Sequence, residues 1–450
     1  MRIGSLLTTP RPGGRRWGKD EKAPVRVLLT NNTLASRGGS ELYVRDLAVA
    51  LRRRGHLPVA YSSMLGPVAD DLRAAGVPVI GDLTALTEAP DVIHGHHHLD
   101  AAAAGLRFPA TPAVHACHGW LPWQEAPLVL ASVRRYVAVS ELTREHLLTS
   151  GVSPDRISVI PNFVDFERFA SRRDAGSKTG KALIYGNAWM PGAPALSAIR
   201  EGCRRRGLDV EAVGYGLGNP TDRPQDLLPS FDVVFATGRS ALEAMACGCA
   251  VVLADPNGFG GLVTTGSFRR QRAANFGLAL LAGRDTTVER VCAALDARDS
   301  ADVASLADLV RLEAGVDSAA GQWEELYQLA VDEGPAPPKD VVAAASAYLV
   351  RLKALTGHFE TDWGRSVNEL NRLNAVLADE RRSFGAERDA SRTHLASLEA
   401  VNASLSAQLS DVQARLAASQ AELERARARE RKARGIPKLL RVLGLRAARP

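Results

Sequence analysis

Residues 25–53 read VRVLLTNNTLASRGGSELYVRDLAVALRR. Val25–Leu29 is a short apolar-rich run of the length a buried strand takes. Ser36-Arg37-Gly38-Gly39-Ser40-Glu41 follows as a turn, and apolar residues then recur at helical spacing across Ser40–Arg53. Strand, Gly-Gly turn and helix in that order open a βαβ unit. Two glycines let a backbone approach a ligand closely, and a helix start presents free N–H groups, so phosphate or a sugar hydroxyl would suit the turn. The same residues also suit a tight turn capped by serine.

The pattern continues outward from this stretch. Further strands are predicted at Pro58–Ser62, Val77–Ile80, Asp91–His94, Ala113–Cys117, Tyr136–Val139 and Ile157–Ile160, with a helix at Glu141–Thr149. Residues 166–180, FERFASRRDAGSKTG, are polar and read as a linker. A second alternating block has strands at Ala182–Tyr185, Val210–Val213, Asp232–Ala236 and Ala250–Ala254, and helices near Ala195–Arg206, Ser240–Cys247 and Phe268–Leu281. A helix around Ala319–Val331 ends it. The expected class is α/β: two Rossmann-like parallel-sheet domains facing a cleft, at 25–165 and 181–331. A leader covers 1–24 and a Pro-rich break covers 332–340.

Beyond the break the composition changes. Gly357, Gly364 and Gly385 are the glycines between 341 and 430, and the next proline is Pro437. Leu395, Leu398, Leu405, Leu409, Val412, Leu416, Leu423 and Ala426 alternate spacings of three and four, with Asn402 and Ser419 on the same seam. That is a heptad pattern, and it predicts a self-associating coiled coil over 341–430. A weaker stretch runs through Trp363, Val367, Leu370, Leu377 and Phe384. A helix over 363–429 would extend roughly 100 Å. Residues 431–450 form a basic amphipathic tail, with Ile436, Leu439, Leu440 and Leu443 beside Lys438, Arg441 and Arg446.

The 450 residues are 46% hydrophobic and 24% charged, which excludes a wholly disordered, collagen-like or disulfide-scaffold chain. Five scattered cysteines read as reduced thiols of a cytoplasmic protein. No apolar stretch is long enough to span a membrane, and no signal peptide is expected. Net charge is +6, but 425–450 hold ten Lys/Arg and one acid, so the remainder is mildly acidic. That basic end suits peripheral contact with an anionic inner-membrane face. Nucleic acid is not expected as a partner.

Loops at the carboxyl ends of the strands are where open α/β sheets bind ligands. Ile93-His94-Gly95-His96-His97-His98 puts four histidines in five residues, but no Cys, Asp or Glu stands at metal-ligand spacing, so no metal is expected. His118, in Ala116-Cys117-His118-Gly119-Trp120, ends a buried strand and would point into a cleft. Gly238-Arg239-Ser240 follows a strand and opens a helix. This is an anion site by its helix start and Arg239, with Ser240 as its cap. Glu243 lies one turn in, where a carboxylate could accept two hydroxyl groups of a ribose, or serve only as a first-turn acid.

These motifs together resemble the retaining GT-B nucleotide-sugar glycosyltransferases of family 4, over roughly residues 25–331. The resemblance rests on RGGSELYVRDLAVALRRRGH, DVIHGHHH, HACHGW, LEAMACGCAVVLAD and above all YVAVSELTREHLLTSGVSPDRISVIPNFVDFERF. In the last run Ser140, Pro161, Asn162, Val164, Asp165, Arg168 and Phe169 match the family pattern, and Phe163 replaces its usual glycine. The resemblance implies that His118 contacts the transferred sugar and is the catalytic-site histidine. It implies that Gly38 and Gly39 contact donor phosphate or acceptor, that Gly214 and Gly216 lie near the nucleotide, and that Glu243 holds the ribose. No cofactor or metal is implied beyond the nucleotide sugar itself; the acceptor would be a glycan or lipid-linked glycan.

Two departures stand out. Phe235 occupies the place of the first glutamate of the family's Glu-x7-Glu motif, and residues 186–199 carry none of the usual basic pair. Arg239 could take over the diphosphate. The alternative is a degenerate GT-B domain that acts as a scaffold or regulator through its coiled coil. A GT-B-fold epimerase is a third reading, which the VIPNFVD run disfavours.

Overall fold

The computed structural model describes residues 23–119, 123–174, 176–334 and 340–442, with side chains except at 358–368 and 433–442. The leader up to residue 22, most of the Pro-rich break and the last eight residues of the basic tail lie outside the described residues. So do the side chains of Trp363 and Val367.

The chain divides into two units, one through Thr356 and one from Gly357. The first holds two sheets. One contains β1 (Arg26–Thr30), β2 (Leu57–Tyr61), β3 (Val79–Ile80), β4 (Val92–His96), β5 (Ala113–Cys117), β6 (Val133–Ala138) and β7 (Ile157–Val159) in the order β3-β2-β1-β4-β5-β6-β7. Every pairing in it is parallel. The other contains β8 (Lys181–Tyr185), β9 (Asp209–Val213), β10 (Val233–Ala236), β11 (Ala250–Asp255) and β12 (Gly258–Leu262) in the order β12-β11-β10-β8-β9. Helices cover both faces, so the strands are apolar on both sides rather than alternating, as in β10 (Val-Val-Phe-Ala, fully buried).

The helices of the first sheet are α1 (Gly39–Arg53), α2 (Pro67–Ala74), α3 (His98–Arg107) and α4 (Glu141–Thr149). Those of the second are α5 (Pro194–Arg205), α6 (Pro224–Leu227), α7 (Gly238–Ala246), α8 (Thr265–Ala273), α9 (Val288–Asp296) and α10 (Ser300–Glu313). Then come α11 (Val316–Asp332) and α12 (Val341–Val442).

Four features differ from the sequence reading. The second sheet is not wholly parallel: β12 pairs antiparallel with β11, through a Gly-rich strand that carries no apolar alternation. The helix predicted over Phe268–Leu281 stops at Ala273, because Asn275 and Phe276 take positive φ. That reversal is held by tertiary bonds: the Asn275 Oδ1 accepts the Asn162 N–H at 3.1 Å, and the Phe276 carbonyl accepts the Gly238 N–H at 2.9 Å.

The predicted linker is anchored at its start. Phe169 is buried in the core of the second sheet, and Arg311 donates to the carbonyls of Phe169 and Ala246 at 2.8 and 3.1 Å. Finally, α11 does not close the second domain but packs on the first. Trp323, Tyr327 and Ala330 sit in one core with Tyr43, Leu47 and Val27. The chain crosses over where Val164 and Gly315 form a parallel bridge, with bonds from Val164 N–H to the Ala314 carbonyl and from Val316 N–H to the Val164 carbonyl, each 2.9 Å. Within the first unit α12 also begins on this domain, where the Tyr348 hydroxyl meets His98 Nδ1 at 2.8 Å. Amphipathicity alone marked these helices; which sheet each covers is set by complementary aromatic shapes.

In the second unit α12 leaves its seam uncovered. Leu395, Leu405, Leu409 and Leu416 are each more than half exposed.

Trp323 is fully buried, and its indole N–H donates to the Tyr43 hydroxyl at 2.9 Å. Trp323→Ala should therefore lower stability by about 3–5 kcal/mol. Trp323→Phe, which keeps most of the ring and loses the bond, should cost markedly less. Thermal melting of the two variants tests the strap: equal, small losses would mean that α11 is not anchored through this residue.

Candidate functional site

The carboxyl ends of both sheets face one cleft, and the strand orders reverse beside it, between β1 and β4 and between β8 and β10. The cleft contains about 550 Å³ of open space. Gly38, Gly39 and Leu42 of the first domain line it, with Arg168, Tyr185, Asn187, Gly214, Arg239, Ser240 and Glu243 on the opposite side. Six of the residues singled out from sequence thus come together. Gly216 and His118 are not among the lining residues.

Gly38 precedes α1, with φ −82°, so the left-handed region is not what selects glycine here. Space is: a Cβ there would lie 2.4 Å from Glu41 Oε2. The Glu41 carboxylate folds back over the helix start and accepts from Ser36 Oγ at 3.2 Å and Ser40 Oγ at 2.9 Å. Across the cleft, Gly214 and Gly216 are selected by backbone contact. Their Cβ atoms would meet the Gly186 and Trp189 carbonyl oxygens at 2.0 and 2.2 Å. They pack the loop after β9 onto the loop after β8, a role the resemblance did not suggest.

At α7 the structure corrects one expectation. Ser240 is not the cap: Thr237 stands at that position without a side-chain bond, and Gly238 opens the helix at φ 56°. Arg239 is a paired cation. It is 7% exposed, its Nε donates to Glu243 Oε1 at 2.8 Å, and its Nη2 pairs with Asp46 of α1. Asp46 is fully buried and also pairs with Arg45. Burial alone would raise the Asp46 carboxyl, but Arg239, Arg45 and Arg168 outweigh it and hold it below the usual carboxylate range. Burial pulls Arg239 down, and Asp46 and Glu243 more than compensate. Burial dominates at Arg168 and lowers it. The Tyr185 hydroxyl, 3.4 Å from Glu243 Oε2, is pushed up by burial.

Sequence reading passed over Asp46. The signal was there, since an acid falls on the buried face of an otherwise apolar helix stripe. It also singled out Phe235 as a missing glutamate. Phe235 is a fully buried residue of β10 in the core of the second sheet. Phe163, in place of a glycine, lies 4.3 Å from the Tyr43 ring, centroid to centroid, inside the first domain's core.

His118 belongs to a second cluster at the ends of β4 and β5. Its Nε2 is 2.6 Å from His96 Nδ1, so one ring donates and the other accepts. His96 stacks on His94, and His94 bonds the Tyr327 hydroxyl at 2.6 Å. His97, at φ 57°, precedes α3 in a conformation rare for a side-chain-bearing residue. Its Nε2 is 3.1 Å from Ser40 Oγ, and its Nδ1 lies 3.2 Å from Glu125 Oε1. The other Glu125 oxygen accepts the His118 backbone N–H at 2.8 Å. Glu125 and His97 therefore connect the Gly-Gly turn to His118. Burial raises the Glu125 carboxyl, but His97 and His118 overcome it and hold it at about 2. Among the described residues no cluster has the arrangement of a metal site.

Residues 37–168 match the model of Glycosyltransferase Family 4. The stretch runs from the Gly-Gly turn to Arg168. A glycosyltransferase from Rickettsia africae aligns at 14% identity, covering 69% of this chain and 99% of its own, with a TM-score of 0.51. Anabaena Alr3699/HepE, solved with UDP-glucose, aligns at 16% identity over 67% and 99%, with a TM-score of 0.50. No curated protein matches the chain. The fold is GT-B, two Rossmann-like domains facing a cleft, followed by a long C-terminal helix.

Burial holds four histidines neutral. His118 is lowered to about 4 and His115 to about 3, and His94 and His96 lie well below the usual imidazole range. In the unfolded chain each titrates near about 6.5. Between these limits the unfolded chain binds more protons, so stability should fall as pH drops from about 6.5 towards 4, with a limiting slope of about 1.4 kcal/mol per pH unit for each histidine. Urea unfolding midpoints at pH 7.5 and 5 should show the fall, and His115→Leu should flatten it by one proton. An unchanged midpoint would mean these rings are protonated in the native state.

Proposed function

We propose that this chain is a glycosyltransferase that moves a sugar from a nucleoside-diphosphate sugar to a glycan acceptor with retention of configuration. The observation that carries the reading is the lined cleft: Gly38, Gly39, Gly214, Arg239, Ser240 and Glu243 converge on it from two Rossmann-like domains. The family match over 37–168 supports the same reaction class. Glu243, at the inner wall, is the acceptor for the ribose hydroxyls. The α7 start and Arg239 stabilise charge that develops on the leaving diphosphate, which requires no metal. His118 hydrogen-bonds the transferred sugar as a neutral imidazole, consistent with its lowered pKa.

The acceptor in this reading is a surface polysaccharide or a lipid-linked glycan, reached at the cytoplasmic face of an anionic membrane. The basic residues of 425–450 support that placement. Among the described residues no helix is long and apolar enough to cross a membrane. The heptad seam of α12 joins copies of the chain into a homo-oligomeric coiled coil, since an isolated helix would leave its leucines half exposed. The scaffold reading draws on one observation: Arg239 and Glu243 already pair with each other.

Calorimetric titration of the full chain with UDP, GDP, dTDP and ADP separates the two. One nucleotide should bind. Glu243→Ala should weaken it about tenfold or more, the cost of a lost bond to a charged group. His118→Ala should keep nucleotide affinity and lose sugar transfer. Binding of none of the four by folded protein would favour the scaffold.

A further inference from the structure

The cleft carries positive charge from Arg239 and also from Arg168, which the sequence pattern did not assign to it. Arg45, Arg168 and Arg239 stand against two acids, Asp46 and Glu243, which leaves the cluster one positive charge in excess. Nη1 of Arg239 and Nη1 of Arg168 are both buried and find no hydrogen-bond partner among the described residues. Both side chains line the cleft beside Ser240. A buried guanidinium N–H without an acceptor is costly, and two on one wall call for an anion with several acceptor oxygens. The loop after β8, residues 186–193, supplies no Lys or Arg to compete for that anion.

We infer that Arg168 and Arg239 are the pair that binds the diphosphate of the donor, and that Asp46 is the internal carboxylate that neutralises them when no phosphate is present. The inference rests on the donor reading of the cleft. It adds Arg168, from the turn that follows the interdomain crossing, as a phosphate ligand. It also adds a competition: Asp46, on α1 of the first domain, holds the Arg239 guanidinium that the phosphate needs. Among the described residues Arg168 makes no hydrogen bond to protein, and it rests over the Phe169 ring at 5.2 Å, so it can receive an anion without giving up a hydrogen bond to them.

The test uses the full chain and three probes: inorganic pyrophosphate, UDP and uridine. Arg168→Gln leaves the buried Asp46–Arg239 bridge in place, and equal melting temperatures confirm its fold. It should weaken pyrophosphate and UDP about tenfold or more and leave uridine unchanged. Asp46→Asn should tighten pyrophosphate several-fold, because the competing charge is gone. Should uridine and UDP bind while Arg168→Gln changes neither UDP nor pyrophosphate, the donor reading stands and this assignment is overturned. Should pyrophosphate bind in an Arg168-dependent way while uridine adds nothing to it, the anion site stands and the nucleotide reading falls. Absence of pyrophosphate binding to the wild type overturns the inference outright.

Discussion

The buried ion pair between Asp46 and Arg239 is the constraint on which the cleft depends. It ties α1, which starts at the Gly-Gly turn, to α7, which starts at Gly238. Those two helix starts form opposite walls, so the pair sets how far apart the walls stand. Removing one partner of such a bridge leaves a buried charge uncompensated, at a cost of about 3–5 kcal/mol. A second set of contacts closes the mouth. Arg37 N–H donates to the Tyr215 hydroxyl at 3.1 Å, and its guanidinium lies 2.9 Å from Asp222. The Gly-Gly turn is thereby held to the opposite domain at its outer end as well.

The histidine cluster follows a different logic. His94, His96 and His118 form a column between the first sheet and α11, so packing and not solvent determines their protonation. Glu125 is the ionised member, and it touches His118 through the backbone rather than the ring. The imidazole of His118 is therefore left to pair with His96. Because α11 covers the column from the far side, the connection back from the second domain is part of the site's architecture and not merely a tether.

How much of this was legible in the sequence depends on range. Strand–helix alternation gave both sheets, because periodicity is local and a strand buried on both faces reads as a plain apolar run. The glycine positions were legible as places of close approach, but not what approaches: at Gly214 and Gly216 it is a neighbouring loop. The break of α8 at Asn275 was hidden, since its cause is a bond to Asn162, more than a hundred residues away. The seat of α11 was hidden for the same reason, as Trp323 matches Tyr43 only in space. Arg239 was legible as a charge at a helix start, but its pairing with Asp46 was not, because that partner lies in the other domain.

The charge cluster also bears on why the fold keeps such a costly arrangement. Hydrophobic residues of similar volume would serve stability at least as well as a buried Arg–Asp pair. Stability therefore does not explain three arginines and two acids gathered between α1 and α7, still less two guanidinium N–H groups with no acceptor among the described residues. Domain register explains part of it, since a charged pair tolerates misalignment less than an apolar contact does. The excess positive charge is not explained by register, because a one-to-one pair would be sufficient. What remains is a wall whose hydrogen bonds are incomplete among the described residues and which lies where open α/β sheets take their ligands. The sign of the excess matches the anion inferred for it.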